Sequence, residues 1–415
     1  MNDQRSGVIK SNRIVFPDGI KAGYLLVEQG QISGFTSHFS GSCIDHSERI
    51  VMPGFVDIHV HGWGRGSFGY KGNKESLKWM SHDLVKAGVT SYLPTSGTMP
   101  NDFLEVSLVE AADYIATATP ADGAEAIGIH MEGPYISEKH LGMQRADCLQ
   151  RPSVEGFERF NRLAGHNIRL MTLAPELEGA LELIRYLRAQ GITASAGHTD
   201  ATFAEVTAAV EAGLNHFTHA YSGMRGFHHR ELGVVGALMY YQDTYAEVAK
   251  QSGITIKPEA FDLLYRLKRD RRMVLMSDCM GYVDFPEGYE FHHYLRKETF
   301  RIKQGQLEIT SDGGDTRHVC PCDYDEVQQL EMNFLDSVKN IVDRLDNGLV
   351  SVASIACENP AFLAGAQDRK GSLCPGKDAD ILVLDEGLDL VEVYCRGLYQ
   401  PQGAACSAPT ERHGG

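Results

Sequence analysis

Hydrophobic and polar positions along this chain follow two rhythms. Up to about residue 50 they alternate over short stretches, as in Gly7-Val8-Ile9, Arg13-Ile14-Val15-Phe16 and Tyr24-Leu25-Leu26-Val27. Turn residues separate them at Pro17-Asp18-Gly19 and Glu28-Gln29-Gly30-Gln31. A period of two punctuated in this way predicts short β-strands joined by tight turns. A hairpin set of that size is marginal by itself. The same rhythm returns near the other end, in the run Gly371–Leu384 and in Leu390-Val391-Glu392-Val393-Tyr394. The pattern therefore predicts a small β-sandwich domain built from residues 1–50 and 371–402, with 403–415 as a disordered tail.

Between these ends the rhythm alternates between two and 3.6. Met52-Pro53-Gly54-Phe55-Val56-Asp57-Ile58-His59-Val60-His61-Gly62 reads as a buried strand closed by a turn. A helix over Lys74–Ala87, closed by Gly88, leads to a strand at Val89–Leu93. A second helix is predicted over Asn101–Ala118, with Asn101 or Asp102 as N-cap and Pro120 beyond its end. Strand Ala126–Glu132, helix Val154–Leu163, strand Ile168–Leu173, helix Leu177–Gln190 and strand Thr193–Ala196 follow. Helix Ala201–Ala212 leads to strand Asn215–His219. A further strand near Tyr245–Val248 or Ile254–Ile256, helix Pro258–Lys268 and strand Met273–Met276 complete about eight βα units. That is the size and order of an α/β (β/α)₈ TIM-like barrel over residues 51–370. The segment Glu287–Cys322 fits no βα unit and is left as a lid or a structural hairpin.

Composition narrows the classes. A net charge of −16 argues against nucleic acid or an anionic membrane as partner. No apolar run approaches the roughly 20 residues of a membrane span, and the polar start Met1-Asn2-Asp3-Gln4-Arg5 lacks a signal-peptide core. Nine cysteines without a spacing framework suggest reduced thiols in a cytoplasm. Cys320-Pro321-Cys322 after His318 offers half of a zinc site, but no second pair follows at suitable spacing.

Candidate chemistry sits at the predicted strand ends, where barrel enzymes gather their reactive groups. On the first strand, side-chain alternation places Asp57, His59 and His61 on one face. The third ends in His130-Met131-Glu132, the fifth in Gly197-His198-Thr199, the sixth in Thr218-His219 and the eighth in Ser277-Asp278. A lone histidine at such a place is more often structural. Histidines from three strand ends with Glu132 and Asp278, directed at one rim, make a ligand set for Zn²⁺ or Fe²⁺. The reaction class that follows is metal-assisted hydrolysis.

These motifs resemble the amidohydrolase superfamily and, within it, the N-acetylglucosamine-6-phosphate deacetylases. The likeness runs through Pro-Gly-Phe-Val-Asp-Ile-His-Val-His-Gly, His130–Tyr135, Gly197-His198-Thr199, Thr218-His219, His228–Ala237 and Gly376-Lys377-Asp378-Ala379-Asp380. The resemblance implies that Glu132, His198 and His219 bind one metal, Zn or Fe, and that His59 and His61 form a second position with Glu132 bridging, so one or two ions per subunit. It implies Asp278 as the general acid/base. It implies that Arg230, with His229 beside it, grips a substrate phosphate, often across a homodimer interface, as suits a forked guanidinium. The departures concern the substrate pocket. Ser222 and Gly223 stand where the family has Asn-Ala, Thr255 where it has a histidine near the acyl group, and Gln144 where many members have a sugar-contacting histidine. The implied activity is cytoplasmic hydrolysis of N-acetylglucosamine-6-phosphate to glucosamine-6-phosphate and acetate. The rival substrates are N-acetylgalactosamine-6-phosphate, an unphosphorylated N-acetyl sugar and an N-acyl amino acid. A silent binding protein on the same fold is the non-enzyme alternative, and retention of every ligand position and of Asp278 speaks against it.

Overall fold

The computed structural model describes residues 5–70, 72–250, 255–282, 285, 287–293 and 296–401. The predicted tail, and Ile254 of the alternative seventh strand, lie outside the described residues.

The central stretch forms eight parallel strands, β1 (Phe55–Val60), β2 (Val89–Ser96), β3 (Ile129–Glu132), β4 (Ile168–Leu173), β5 (Thr193–Ala196), β6 (His216–Phe217), β7 (Tyr245–Ala249) and β8 (Met273–Met276). Each pairs in parallel with the next from β1 to β8, and a short strand at Glu125–Ala126 adds to β2. Between β8 and β1 the Asp278 N–H donates to the His59 carbonyl at 2.9 Å and the His61 N–H to the Cys279 carbonyl at 2.8 Å. The sheet thereby closes on itself. The strands are largely buried on both faces, which is why β8, Met-Val-Leu-Met, reads as an unbroken apolar run.

Helices α1 (Lys74–Leu84), α2 (Asn101–Thr117), α3 (Val154–Leu163), α4 (Ala180–Ala189), α5 (Phe203–Ala212), α6 (Gly233–Tyr240) and α7 (Pro258–Arg272) surround the barrel. Asn73, Ser153 and Thr202 cap α1, α3 and α5, and Thr202 forms a capping box with Glu205. Two expectations change. Helix α2 starts at Asn101 itself, with Pro100 as N-cap and no side-chain cap bond. Helix α6 was not predicted, because Gly-Val-Val-Gly-Ala-Leu-Met-Tyr is apolar almost all round and carries no helical period.

Gly7–Phe16, Gly19–Glu28, Gln31–Thr36, Ile44–Asp45 and Ile50–Pro53 join Ile381–Leu384, Leu390–Cys395 and Leu398–Gln400 in one eight-stranded sheet. In hydrogen-bonding terms the expected sandwich is a single sheet drawn from both ends of the chain. Its core joins Ile14, Leu25 and Val51 to Leu373, Ile381 and Val383. Gly54 carries the chain from this sheet into β1. A Cβ there would lie 2.1 Å from Thr90 Oγ1, so only glycine fits. An ionic knot fastens the same junction: Lys370, 1% exposed, reaches Glu125 at 2.6 Å, Asp380 at 2.7 Å and Asp378 at 2.9 Å.

The segment the sequence left open is a four-stranded antiparallel sheet, Glu290–His293, Glu298–Lys303, Gln306–Ser311 and Thr316–Val319, closed over Tyr282, Phe300, Leu307 and Ile309. Among the described residues no disulfide is formed, no metal-like cluster includes Cys320 or Cys322, and no helix is long and apolar enough to cross a membrane.

Candidate active site

The C-terminal ends of the strands surround a cavity of about 270 Å³. Glu132 ends β3, and His198 and His219 stand two residues beyond β5 and β6. Glu132 Oε1 lies 3.1 Å from His198 Nε2 and 3.0 Å from His219 Nε2. Its other oxygen lies 3.2 Å from His61 Nε2, and His59 Nε2 is 3.3 Å from His61 Nε2. Asp278 Oδ1 approaches His59 Nε2 at 3.5 Å and His61 Nε2 at 3.6 Å. Two groups of metal-ligating atoms result, His59–His61–Asp278 and Glu132–His198–His219. Glu132 touches histidines of both.

The imidazoles are held from behind. Nδ1 of His59 faces Glu247 Oε2 at 3.1 Å, and Nδ1 of His61 faces the Thr95 carbonyl at 3.0 Å. Nδ1 of His198 faces the His140 carbonyl at 2.7 Å, and that of His219 the Ser222 carbonyl at 3.1 Å. Each partner is an acceptor, so each Nδ1 carries the proton and each Nε2 turns a lone pair inward. Four imidazole lone pairs and a carboxylate converging at these distances repel one another unless a cation lies among them. The donor set therefore fits a divalent ion with nitrogen and oxygen ligands.

The electrostatics agree. Burial opposes charge on His59, yet Glu132, Glu247 and Asp278 together lift its imidazole well above the usual range. The site thus draws positive charge to itself. Burial would likewise raise Glu247, but His216 and His59 bring it down to about 2, so it stays ionised. His130, on the same strand as Glu132, is pushed well below its usual value, by burial first and by His59 next. It bonds Thr172 and Thr95 and packs edge-to-face on the His59 ring at 4.6 Å, outside both groups of ligating atoms. Asp57 shares the strand face of His59 but lies beneath the site, where its Oδ1 accepts the Ser277 N–H.

Backbone strain gathers here as well. His198, His219 and Asp278 have φ of 48°, 31° and 49°, the left-handed region that side chains other than glycine's seldom adopt. Gly223, at φ 58°, passes close behind the ligands: a Cβ would meet His198 Nδ1 at 3.3 Å and His219 Cε1 at 3.4 Å.

Of the residues expected at the substrate, Gln144, Ser222, Gly223 and Thr255 line the cavity. Gln144 donates to Glu132 Oε2 at 2.6 Å and accepts the Thr98 N–H, so it orients the carboxylate. The Thr255 hydroxyl is turned to the backbone, donating to the Lys250 carbonyl at 2.5 Å. His229 and Arg230 are exposed on the loop before α6 and do not line this cavity. The sequence reading missed Glu247, Lys250, Glu331 and Arg145. Glu247 had a usable signal, an acidic residue in the middle of an otherwise apolar strand, Tyr-Ala-Glu-Val-Ala.

The amidohydrolase family model matches residues 50–408. An N-acetylglucosamine-6-phosphate deacetylase of Bacillus subtilis is 33% identical over 91% of this chain and 92% of its own length. An N-acetylgalactosamine-6-phosphate deacetylase of Escherichia coli O157:H7 is 28% identical over 94% of this chain and 98% of its own. The crystal structure of N-acetylglucosamine-6-phosphate deacetylase from Thermotoga maritima superposes with a TM-score of 0.76 at 26% identity, over 95% of this chain and all of that one. With its ligand-bearing strand ends on a closed parallel barrel, the chain belongs to the amidohydrolase family and is a hydrolytic enzyme.

Proposed function

We propose that this enzyme removes the N-acetyl group of N-acetylglucosamine-6-phosphate, giving glucosamine-6-phosphate and acetate. The convergence of four inward-facing Nε2 atoms on Glu132, beside the part-exposed Asp278, carries the reading. Glu132, His198 and His219 would hold one Zn²⁺ or Fe²⁺, and His59 and His61 would offer ligands to a second ion. A divalent ion bound there lowers the pKa of water and polarises the acyl carbonyl. Of the two carboxylates of the cluster that line the cavity, Asp278, 30% exposed where Glu132 is 2%, is the more open. It accepts the proton of the attacking water and passes it to the departing amine as the C–O bond forms and the C–N bond breaks. Glu247 and the Thr95 and His140 carbonyls keep the imidazoles oriented throughout. The matching division of the chain is a barrel over 51–370 on a β domain made of 1–50 and 371–402.

Arg230 and His229, exposed and away from their own cavity, serve the phosphate in the site of a second copy, so the working form is a homodimer. Ser222 and Gly223 meet the substrate near the same phosphate, and a cytoplasmic setting suits a phosphorylated sugar. The galactosamine isomer is the second reading, favoured by the relative that covers nearly this whole chain. The test is kcat/KM on N-acetylglucosamine and N-acetylgalactosamine, each with and without the 6-phosphate, in wild type and Arg230→Ala. Wild type should prefer the phosphorylated glucose isomer by at least about a hundredfold, and Arg230→Ala should lose most of that margin. Equal rates with and without phosphate would sink the proposal.

A further inference from the structure

Lys250 follows directly on β7 and is buried, 8% exposed, yet it lines the same cavity as Glu132 and Asp278. Its Nζ has two partners among the described residues, Glu331 Oε1 at 3.0 Å and Cys279 Sγ at 3.3 Å. An ammonium carries three N–H donors, so one has no acceptor among the described residues and is open to a ligand or water in the cavity. Glu331 fixes the group from behind, since its other oxygen accepts the Met280 N–H at 3.0 Å. Carboxylate, ammonium and the backbone just past Asp278 form one bracket. Burial works against the charge on Lys250, but Cys279, Glu331 and Asp278 outweigh it and hold the ammonium protonated. Thr255 next to it points its hydroxyl at the backbone, so it supplies no rival donor.

We infer that the third N–H of Lys250 receives the acyl carbonyl oxygen of the substrate and tightens on it as that oxygen gains negative charge, an inference that rests on the deacetylase reading above. The substrate's other strong acceptor, its phosphate, is ill suited to this place. Glu331 and Asp278 set two negative charges beside one positive, which repels a dianion and leaves a neutral carbonyl unopposed. Asp278, which serves the amide nitrogen, stands at the adjoining strand end. Lys250 is then a catalytic residue, touching the atom on which charge develops.

The test compares metal-loaded wild type with Lys250→Met. Wild type must first hydrolyse the N-acetyl sugar phosphate, and failure there overturns the deacetylase reading and this inference together. In the variant, kcat should fall about a hundredfold with metal content unchanged. Affinity for a methylphosphonamidate analogue, whose tetrahedral oxygen mimics the developing charge, should fall by the same factor. Affinity for the deacetylated amine, which has no carbonyl, should stay within about twofold. Equal losses for analogue and amine, or a rate within about threefold of wild type, overturn the role of Lys250 while leaving the deacetylase reading intact. Removing Lys250 alone leaves Glu331 buried and unpaired, so the measurement is repeated in Lys250→Met/Glu331→Gln. The same split between analogue and amine is expected there, and a folded, metal-loaded double variant without it refutes the inference.

Discussion

Two buried clusters of charge in this molecule have similar ingredients and opposite uses. Around Lys370, cations face anions: the ammonium meets Glu125, Asp378 and Asp380, and Arg369 reaches Glu125 at 3.0 Å and Asp378 at 2.7 Å. Against the effect of burial, Lys370 and Arg396 hold Glu125 down to about 2. Around Glu132, four imidazole nitrogens and two carboxylates turn lone pairs toward one another, and no lysine or arginine among the described residues bonds Glu132. In the first cluster each carboxylate has its cation from within the chain, and the cluster fastens sheet to barrel. The second is satisfied only by a cation from outside. Burial and charge number do not separate a structural ion cluster from a binding site. What separates them is whether donors and acceptors close upon one another.

The comparison breaks most sharply at His198. His198→Ala should abolish metal binding and activity together, and a chelator that lowers the melting temperature of wild type should leave that of the variant unmoved. Stoichiometric metal in the variant, measured by elemental analysis, would end the ligand assignment. Next in size is Asp278→Asn, which should keep its metal and melting temperature while kcat falls by about a thousandfold. A variant retaining more than about a tenth of the rate would place the proton on another group.

The self-contained cluster should answer differently. Lys370→Met leaves buried carboxylates without their cation and should destabilise by about 3–5 kcal/mol in denaturant unfolding, with metal content per folded molecule unchanged. Metal loss with unchanged stability would reverse the distinction. The smallest effect is the acid limb of the stability curve. The folded pKa of Glu125 is depressed, so its contribution is complete above the unfolded value near 4.5 and fades as pH falls toward about 2. Glu125→Gln should flatten that limb by on the order of 2 kcal/mol relative to wild type. Superimposable profiles would show that Glu125 does not take part.

Much of the site was legible because strand alternation and strand ends are visible in sequence. His59, His61, Glu132, His198, His219 and Asp278 each close an apolar run, and α3, β4, β5 and β8 have the predicted bounds. What escaped has physical reasons. Helix α6 lacks a polar face to set its period. The strands of 290–319 are short and pair mainly with one another, so no flanking helix announces them. Lys250 and Glu331 become a pair only through the fold, 81 residues apart in sequence, and a lone lysine after a strand carries no pattern. Arg230 is exposed and does not line its own cavity, as an arginine expected to act across an interface would be.

The barrel seam gives the site a place in time as well as in space. Asp278 and His59 meet where the last strand joins the first, and the nearby bond from the Ser277 N–H to Asp57 spans 220 residues of chain. Contacts of that sequence separation form late, because the whole intervening loop must first be ordered. A chain still leaving the ribosome, or one opened only at this seam, lacks Asp278 beside His59 and His61 and has no complete cluster to offer. Arrival of the acid/base therefore reports completion of the fold, and a partly folded molecule exposes no assembled hydrolytic centre.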